Sequence, residues 1–258
     1  MHDDDKPVGR VLSRREILAL LGTAGVGLVA SRAGARNAGP ASPLAVLGTF
    51  EALQLPACVV RPQQTEGPYF VDELLDRSDI RSDPPPGSGA VSEGIPLDLE
   101  IRVSRVGNRT CTPLPEAMVD VWQCDALGVY SDVRDMNGFF DTRGKKFLRG
   151  FQRTDKAGRA RFRTIYPGWY QGRTVHIHFK IRTPVSGSRA HEFTSQLYFD
   201  DALSDEVFRR TPYAKTGRRV LNEQDGIFRN GGRQLMLALQ PRESGYTGSF
   251  DIGLALGE

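Results

Sequence analysis

From Ile95 to the C-terminus the chain repeats one device: short runs in which apolar and polar residues alternate, separated by turn residues. Alternation with period two sends successive side chains to opposite faces of a strand, and it fits no helix. On this reading PLDLEIRVSRV, AMVDVWQC, RARFRTIYP, TVHIHFKIRT, FTSQLYF and FDIGLAL are strands. Turn signals such as Asp155-Lys156-Ala157-Gly158 and Val106-Gly107-Asn108 separate several of them. The 28 glycines and 16 prolines, with little helical periodicity beyond residue 90, favour a loop-rich all-β domain. The expected architecture is mainly β: a β-sandwich with long loops and a few short helices. It would occupy residues 95–258, preceded by an N-terminal arm at 43–94 that carries the Pro/Gly-rich loop DPPPGSGAVSEG.

Residues 1–42 read as a signal and processing region outside the fold. Arg14 and Arg15 precede an uncharged run of 14 residues from Ile17 to Ala30, and Ala33-Gly34-Ala35 follows as a small-residue cleavage site. That order is the order of an export signal, and the arginine pair points to the twin-arginine route. An extracellular or periplasmic destination is expected. The apolar run is short for a membrane span, so no stable span is expected after processing. The segment carries six of the 34 Lys/Arg and four of the 31 Asp/Glu, which leaves the rest of the chain at +1. A nearly neutral mature protein has no electrostatic footprint for nucleic acid. Of the three cysteines, Cys58 and Cys111 lie in turn-like segments and are the expected disulfide pair. Cys124 sits in a strand-like run and is expected to pack as a small hydrophobe.

The strand TVHIHFKIRT spends two of the chain's four histidines on alternate positions. Val175, Ile177, Phe179 and Ile181 then face one way, and His176, His178 and Lys180 the other. Residues two apart on a strand are about 6.5–7 Å apart, so two imidazoles there can converge on one ion. The motif alone leaves two readings open: half of a metal site, or a polar outer face. His2 belongs to the signal region, and His191 in SRAHEF is expected at the surface.

Further ligands are sought nearby. Tyr170 emerges from the turn IYPGWY six residues before His176, and Tyr130 follows the strand containing Trp122. Taken singly, each tyrosine is an ordinary packed aromatic. Together with H-x-H they make a different set. A phenol with a pKa near 10 stays ionised at neutral pH only opposite a strongly Lewis-acidic ion, and ferric iron is the natural match for hard anionic oxygen. Zinc more commonly takes a carboxylate or thiolate. Tyr166 precedes the Pro-Gly turn on the strand itself and is expected in the core.

The segments PGWY, R-x-x-HIHFKI, VDVWQCDALGVYSD and QTEGPYF together resemble the intradiol ring-cleavage dioxygenases, the family of protocatechuate 3,4-dioxygenase and catechol 1,2-dioxygenase. The resemblance runs from about Gln63 to Phe199. It implies that family's β-sandwich and a non-haem Fe(III) held by Tyr130, Tyr170, His176 and His178. It further implies catalytic roles for Tyr170, as the tyrosine that leaves the metal to accept a substrate proton, for Arg173 and for Gln196. Gly67, Pro68 and Tyr69 would line the substrate. The implied reaction joins O2 to a catechol-type small molecule and opens its ring between the hydroxylated carbons, giving a muconate-type diacid. The loop from Tyr170 to His176 is short and lacks the tryptophan of protocatechuate enzymes, which leaves the catechol unspecified, and oligomer formation stays open. Two other classes fit parts of the pattern. One is a zinc or ferrous H-x-H enzyme completed by Asp125 or Asp132; the other is a secreted β-sandwich module that binds phenolics or polysaccharide.

Overall fold

The computed structural model describes residues 59–85, 89–107, 110–183 and 191–256. The export signal, the first part of the N-terminal arm and Cys58 lie outside the described residues. Cys111 is disulfide-bonded, and Cys124 is a free, buried thiol.

Two sheets face each other, as the alternation requires. The first is built on β1 (Pro96–Val106), which pairs in parallel with β9 (Gly245–Leu254) and antiparallel with β5 (Arg159–Ile165) and β2 (Cys111–Pro113). β8 (Ala238–Arg242) closes the β9 edge. The second sheet has the order β4 (Arg149–Arg153), β3 (Met118–Trp122), β6 (His176–Arg182) and β7 (Glu192–Tyr198), all antiparallel. Leu97, Leu99, Ile101 and Val103 of β1 meet Val119, Val121, Ile177, Phe179 and Ile181 of the second sheet in one buried cluster. The outward residues of β1 and β5 set opposite charges across from each other, such as Glu100 and Arg161. Helices are short: α1 (Asp201–Val207) and α2 (Gly226–Arg229). Among the described residues no helix is long and apolar enough to cross a membrane.

Three strands carry no alternating signal. β2 has only three residues. β4, RGFQR, acquires its extended form by pairing with β3 and the arm. β8 contains Pro241, and it sits at an edge with a partner on one side only.

The second difference concerns β6. Alternation suggested a half-buried strand, yet both of its faces are buried, His176 and His178 at 2% exposure each. The cause is the N-terminal arm. Gln64 N–H donates to Thr194 O on β7 at 3.0 Å, while Phe151 N–H on β4 donates to Leu75 O at 2.8 Å. Anchored at both edges of the second sheet, the arm must cross the outer face of β6 and β3 between those points. Phe70 accordingly packs on Trp122 with centroids 4.8 Å apart. The histidine face is thus an interior between sheet and arm.

Candidate metal centre

Cross-strand register sets the foundation. Trp122, His178 and Gln196 lie in one row across β3, β6 and β7, and His176 pairs with Tyr198. The Trp122 and His178 rings stack at 5.0 Å and 8°. Beyond β3 the chain turns on Asp125, whose Oδ1 accepts N–H bonds from Leu127 and Val129, each at 2.9 Å. That turn delivers Tyr130. Beyond β5 the Pro-Gly turn delivers Tyr170. The two loops are stitched together by Gly168 N–H donating to Asp125 O at 3.0 Å. A Cβ at Gly168 would collide with the Asp125 and Ala126 carbonyls, so only glycine permits this approach. Buried Arg149 pins the chain after Tyr130 by donating from Nη2 to Ser131 O at 2.6 Å.

The four expected ligands converge. His176 Nε2 lies 3.0 Å from His178 Nε2, 3.2 Å from Tyr170 Oη and 3.5 Å from Tyr130 Oη. His176 Nδ1 donates to Thr174 O at 2.6 Å, which leaves the Nε2 lone pair facing the cluster. Among the described residues His178 Nδ1 is buried without a hydrogen-bond partner, so packing holds this ring. Gly67 contributes to that packing: a Cβ there would stand 3.2 Å from His178 Cε1. Burial, then the Arg173 charge, pushes His176 down to about 3, and burial with neighbouring His176 pushes His178 well below its usual range. Both imidazoles are therefore neutral donors. Burial also pushes Tyr170 up to about 12 and Tyr130 well above the ordinary phenol value.

Around this centre Tyr69 packs against Tyr130 with tilted rings, centroids 4.7 Å apart, and donates its hydroxyl to Asp135 Oδ1 at 2.5 Å. Of the expected substrate turn, Gly67 lies beside His178 and Tyr69 beside Tyr130, and Pro68 is exposed. Arg173 Nη2 donates to Gln196 Oε1 at 2.6 Å, and Gln196 Nε2 donates to Thr65 O at 3.0 Å. Tyr166 stays away, fully buried with its hydroxyl 2.8 Å from Ser204 Oγ. His191 is exposed. The sequence reading missed Asp225, Thr174, Trp122 and Asp135 as supports. Only Asp225 had a local signal, as an N-cap residue before an apolar pair.

The donor set fits ferric iron. Two metal–nitrogen bonds of roughly 2.0–2.1 Å meeting at about 90° span about 3 Å, and the two Nε2 atoms are 3.0 Å apart. Two buried phenols gain most from a hard, highly charged cation, because only such an ion offsets the burial that keeps them protonated. The carboxylate alternative fails on placement. Asp125 is consumed by its own turn, and Asp132 accepts Gly144 N–H at 2.6 Å beside Lys146. Among the described residues no group of three or more His, Cys, Asp or Glu side chains converges. A groove of about 700 Å³ on the outer face of the first sheet has Asp98, Glu100, Arg102, Arg161 and Arg163 in its lining. Those charges pair with one another, Arg161 Nε to Glu100 at 2.8 Å for example, and converge on no common point.

Comparison with known proteins gives a consistent picture. A family model described as "Dioxygenase" matches residues 65–238. The protocatechuate 3,4-dioxygenase beta chain of Burkholderia cepacia is 36% identical over 143 residues, 51% of this chain and 59% of that protein. Catechol 1,2-dioxygenase of Candida albicans is 31% identical over 134 residues, 44% of this chain and 41% of its own length. The chain thus matches about half the length of these curated relatives. Among solved structures, an intradiol ring-cleavage dioxygenase from Tetranychus urticae superposes with a TM-score of 0.62 at 31% identity, covering 77% of this chain and 94% of that one.

Proposed function

This chain belongs to the intradiol ring-cleavage dioxygenase family, and from that premise we propose that it cleaves catechol-type substrates with O2 between the two hydroxylated carbons. The observation that carries the proposal is the convergence of two phenol oxygens and the His178 imidazole nitrogen within 3.0–3.5 Å of His176 Nε2. A binding module has no use for four metal-type donors buried behind an arm.

Tyr130, Tyr170, His176 and His178 would hold Fe(III). When bound, the ion supplies a Lewis acid that draws the two adjacent oxygens of a catechol and promotes loss of their protons. The protein's own groups divide the remaining work. Tyr130 is fully buried, whereas Tyr170 is partly exposed as a residue although its hydroxyl is buried, so Tyr170 is the phenol placed nearer the surface and would receive a substrate proton at Oη. Arg173 keeps a fixed positive charge whose field reaches Tyr170 and both histidines. In a site shielded from water such a charge stabilises negative charge developing on the ring. Gln196 holds the plane of that guanidinium and ties it to the arm through Thr65. Gly67 and Tyr69 close the aromatic side, which excludes water. Residues 1–42, outside the described residues, would direct the protein out of the cytoplasm by the twin-arginine route, and subunit assembly is left open.

The test uses purified protein. About one ferric ion per chain, a visible tyrosinate absorption and oxygen uptake with ring opening of catechol are expected. Tyr130→Phe should weaken the absorption and metal loading while keeping the fold. A colourless wild-type protein that loads only zinc and consumes no oxygen with any catechol would end the proposal.

A further inference from the structure

Arg173 is held from two sides. Its Nε donates to Asp225 Oδ2 at 2.8 Å and its Nη2 to Gln196 Oε1 at 2.6 Å. Nη1 has no hydrogen-bond partner among the described residues. A guanidinium is a rigid planar fork. Two bonds, from Nε and Nη2 to two different partners, therefore fix its plane and leave Nη1 as its nitrogen without a partner among the described residues. The pair is secluded, with side-chain exposures of 16% for Arg173 and 1% for Asp225.

Asp225 is itself immobile. Oδ1 caps α2 by accepting N–H bonds from Ile227 at 2.7 Å and Phe228 at 3.2 Å. Oδ2 accepts a second bond from Thr174 N–H at 2.9 Å. The carbonyl of Thr174 is the acceptor that sets the His176 tautomer. One carboxylate thus orders the guanidinium and the backbone residue that orients a ligand histidine. Gln196 closes the far side: Tyr198 Oη lies 3.0 Å from its Oε1 and 2.7 Å from Gln64 Oε1, and Gln64 Nε2 donates to Ile227 O in α2 at 3.0 Å. The network forms a closed ring from α2 through the arm and β7 back to Arg173.

We propose that Asp225 is a positioning residue for ring cleavage: it aims the Arg173 guanidinium so that Nη1 faces the Tyr170–His176 centre, where substrate charge develops. This rests on the ring-cleavage reading above. Asp225 touches no substrate, so its effect passes either through Arg173 or through Thr174 to His176, and the route through Arg173 is the one proposed. A small misplacement of a group outside the bond-making atoms can cost about 10²-fold in rate.

The experiment is a double-mutant cycle on iron-loaded protein, with kcat and KM measured on catechol and melting temperature measured alongside. Asp225→Asn keeps a good N-cap residue on α2 while removing the negative charge. It should lower kcat about 10²-fold, with a smaller change in KM. In an Arg173→Leu background the same substitution should lower kcat no further, because contacting residues are non-additive. If Asp225→Asn alone melts early through its stranded cation, the Arg173→Leu/Asp225→Asn double variant restores the melt and still reads the cycle. An equal fall in kcat in both backgrounds, or an unchanged kcat in the single variant, overturns the proposal. A wild-type protein without ring cleavage but with a coupled melting cycle would sink the functional reading and leave the contact standing. Additive melting would sink the contact.

Discussion

Two glycines offer a matched experiment on how His178 is held. Gly67 and Gly138 have φ values of +73° and +77°, the left-handed region in which L side chains are strained. Alanine at either position should cost about 1–2 kcal/mol of stability for backbone reasons alone. Their surroundings differ. A Cβ on Gly138 meets nothing within 4 Å, whereas one on Gly67 lies 3.2 Å from His178 Cε1. Ordinary carbon contacts are about 3.5–4.0 Å, so the imidazole or the arm must yield by a few tenths of an ångström. Among the described residues His178 has no hydrogen bond at Nδ1 to resist, and Trp122 stacks on its ring. The ring is therefore expected to give and to carry Nε2 off its line toward His176. Chemical denaturation of the metal-free variants should show similar losses for Gly67→Ala and Gly138→Ala. Metal titration followed by visible absorption should then separate them: Gly138→Ala loads iron like the wild type, while Gly67→Ala binds it more weakly with an altered tyrosinate band. Equal metal affinities for the two variants would refute the claim that Gly67 packing positions His178.

The other predictions follow from the same geometry. Ile177→Ala removes a fully buried core side chain from between the two histidines and should cost about 2–5 kcal/mol in denaturant melts. His176→Ala should instead abolish iron binding, so a stable, iron-replete His176→Ala protein would refute the ligand assignment. Burial raises Asp120 from an ordinary 3.8 to about 6 against the pull of Arg182. The folded chain then keeps a proton that the unfolded chain releases, so stability is lost as pH rises through that window. Asp120→Asn should accordingly stabilise by up to about 3 kcal/mol at pH 7–8, at 1.36 kcal/mol per pKa unit, and by nothing near pH 3; a pH-independent effect in urea melts would count against it. Replacing Arg14 and Arg15 with lysines should retain the protein in the cytoplasm, read by cell fractionation, and unchanged export would remove the twin-arginine assignment.

Much of this protein was legible along the chain because its signals are local. Period two marks β1, β3, β5, β6, β7 and β9, since side-chain direction on a strand depends only on the residue's own parity. H-x-H on β6 puts two imidazoles on one face for the same reason. Short motifs around Tyr130 and Tyr170 carried the remaining candidate ligands because the turns that deliver them are set by neighbouring Asp, Pro and Gly residues. Tertiary structure alone decided what those residues face. The histidine strand is buried on both sides because an arm anchored at β7 and β4 crosses it, and no alternation within β6 encodes that cover. Asp225 reaches Arg173 across 52 residues, and Asp135 reaches Tyr69 across 66. β4 becomes a strand through its partners rather than its own pattern. Such contacts join segments whose order along the chain is unrelated to their distance in space. They exist only once the hydrophobic faces of the two sheets have closed and fixed where each loop emerges.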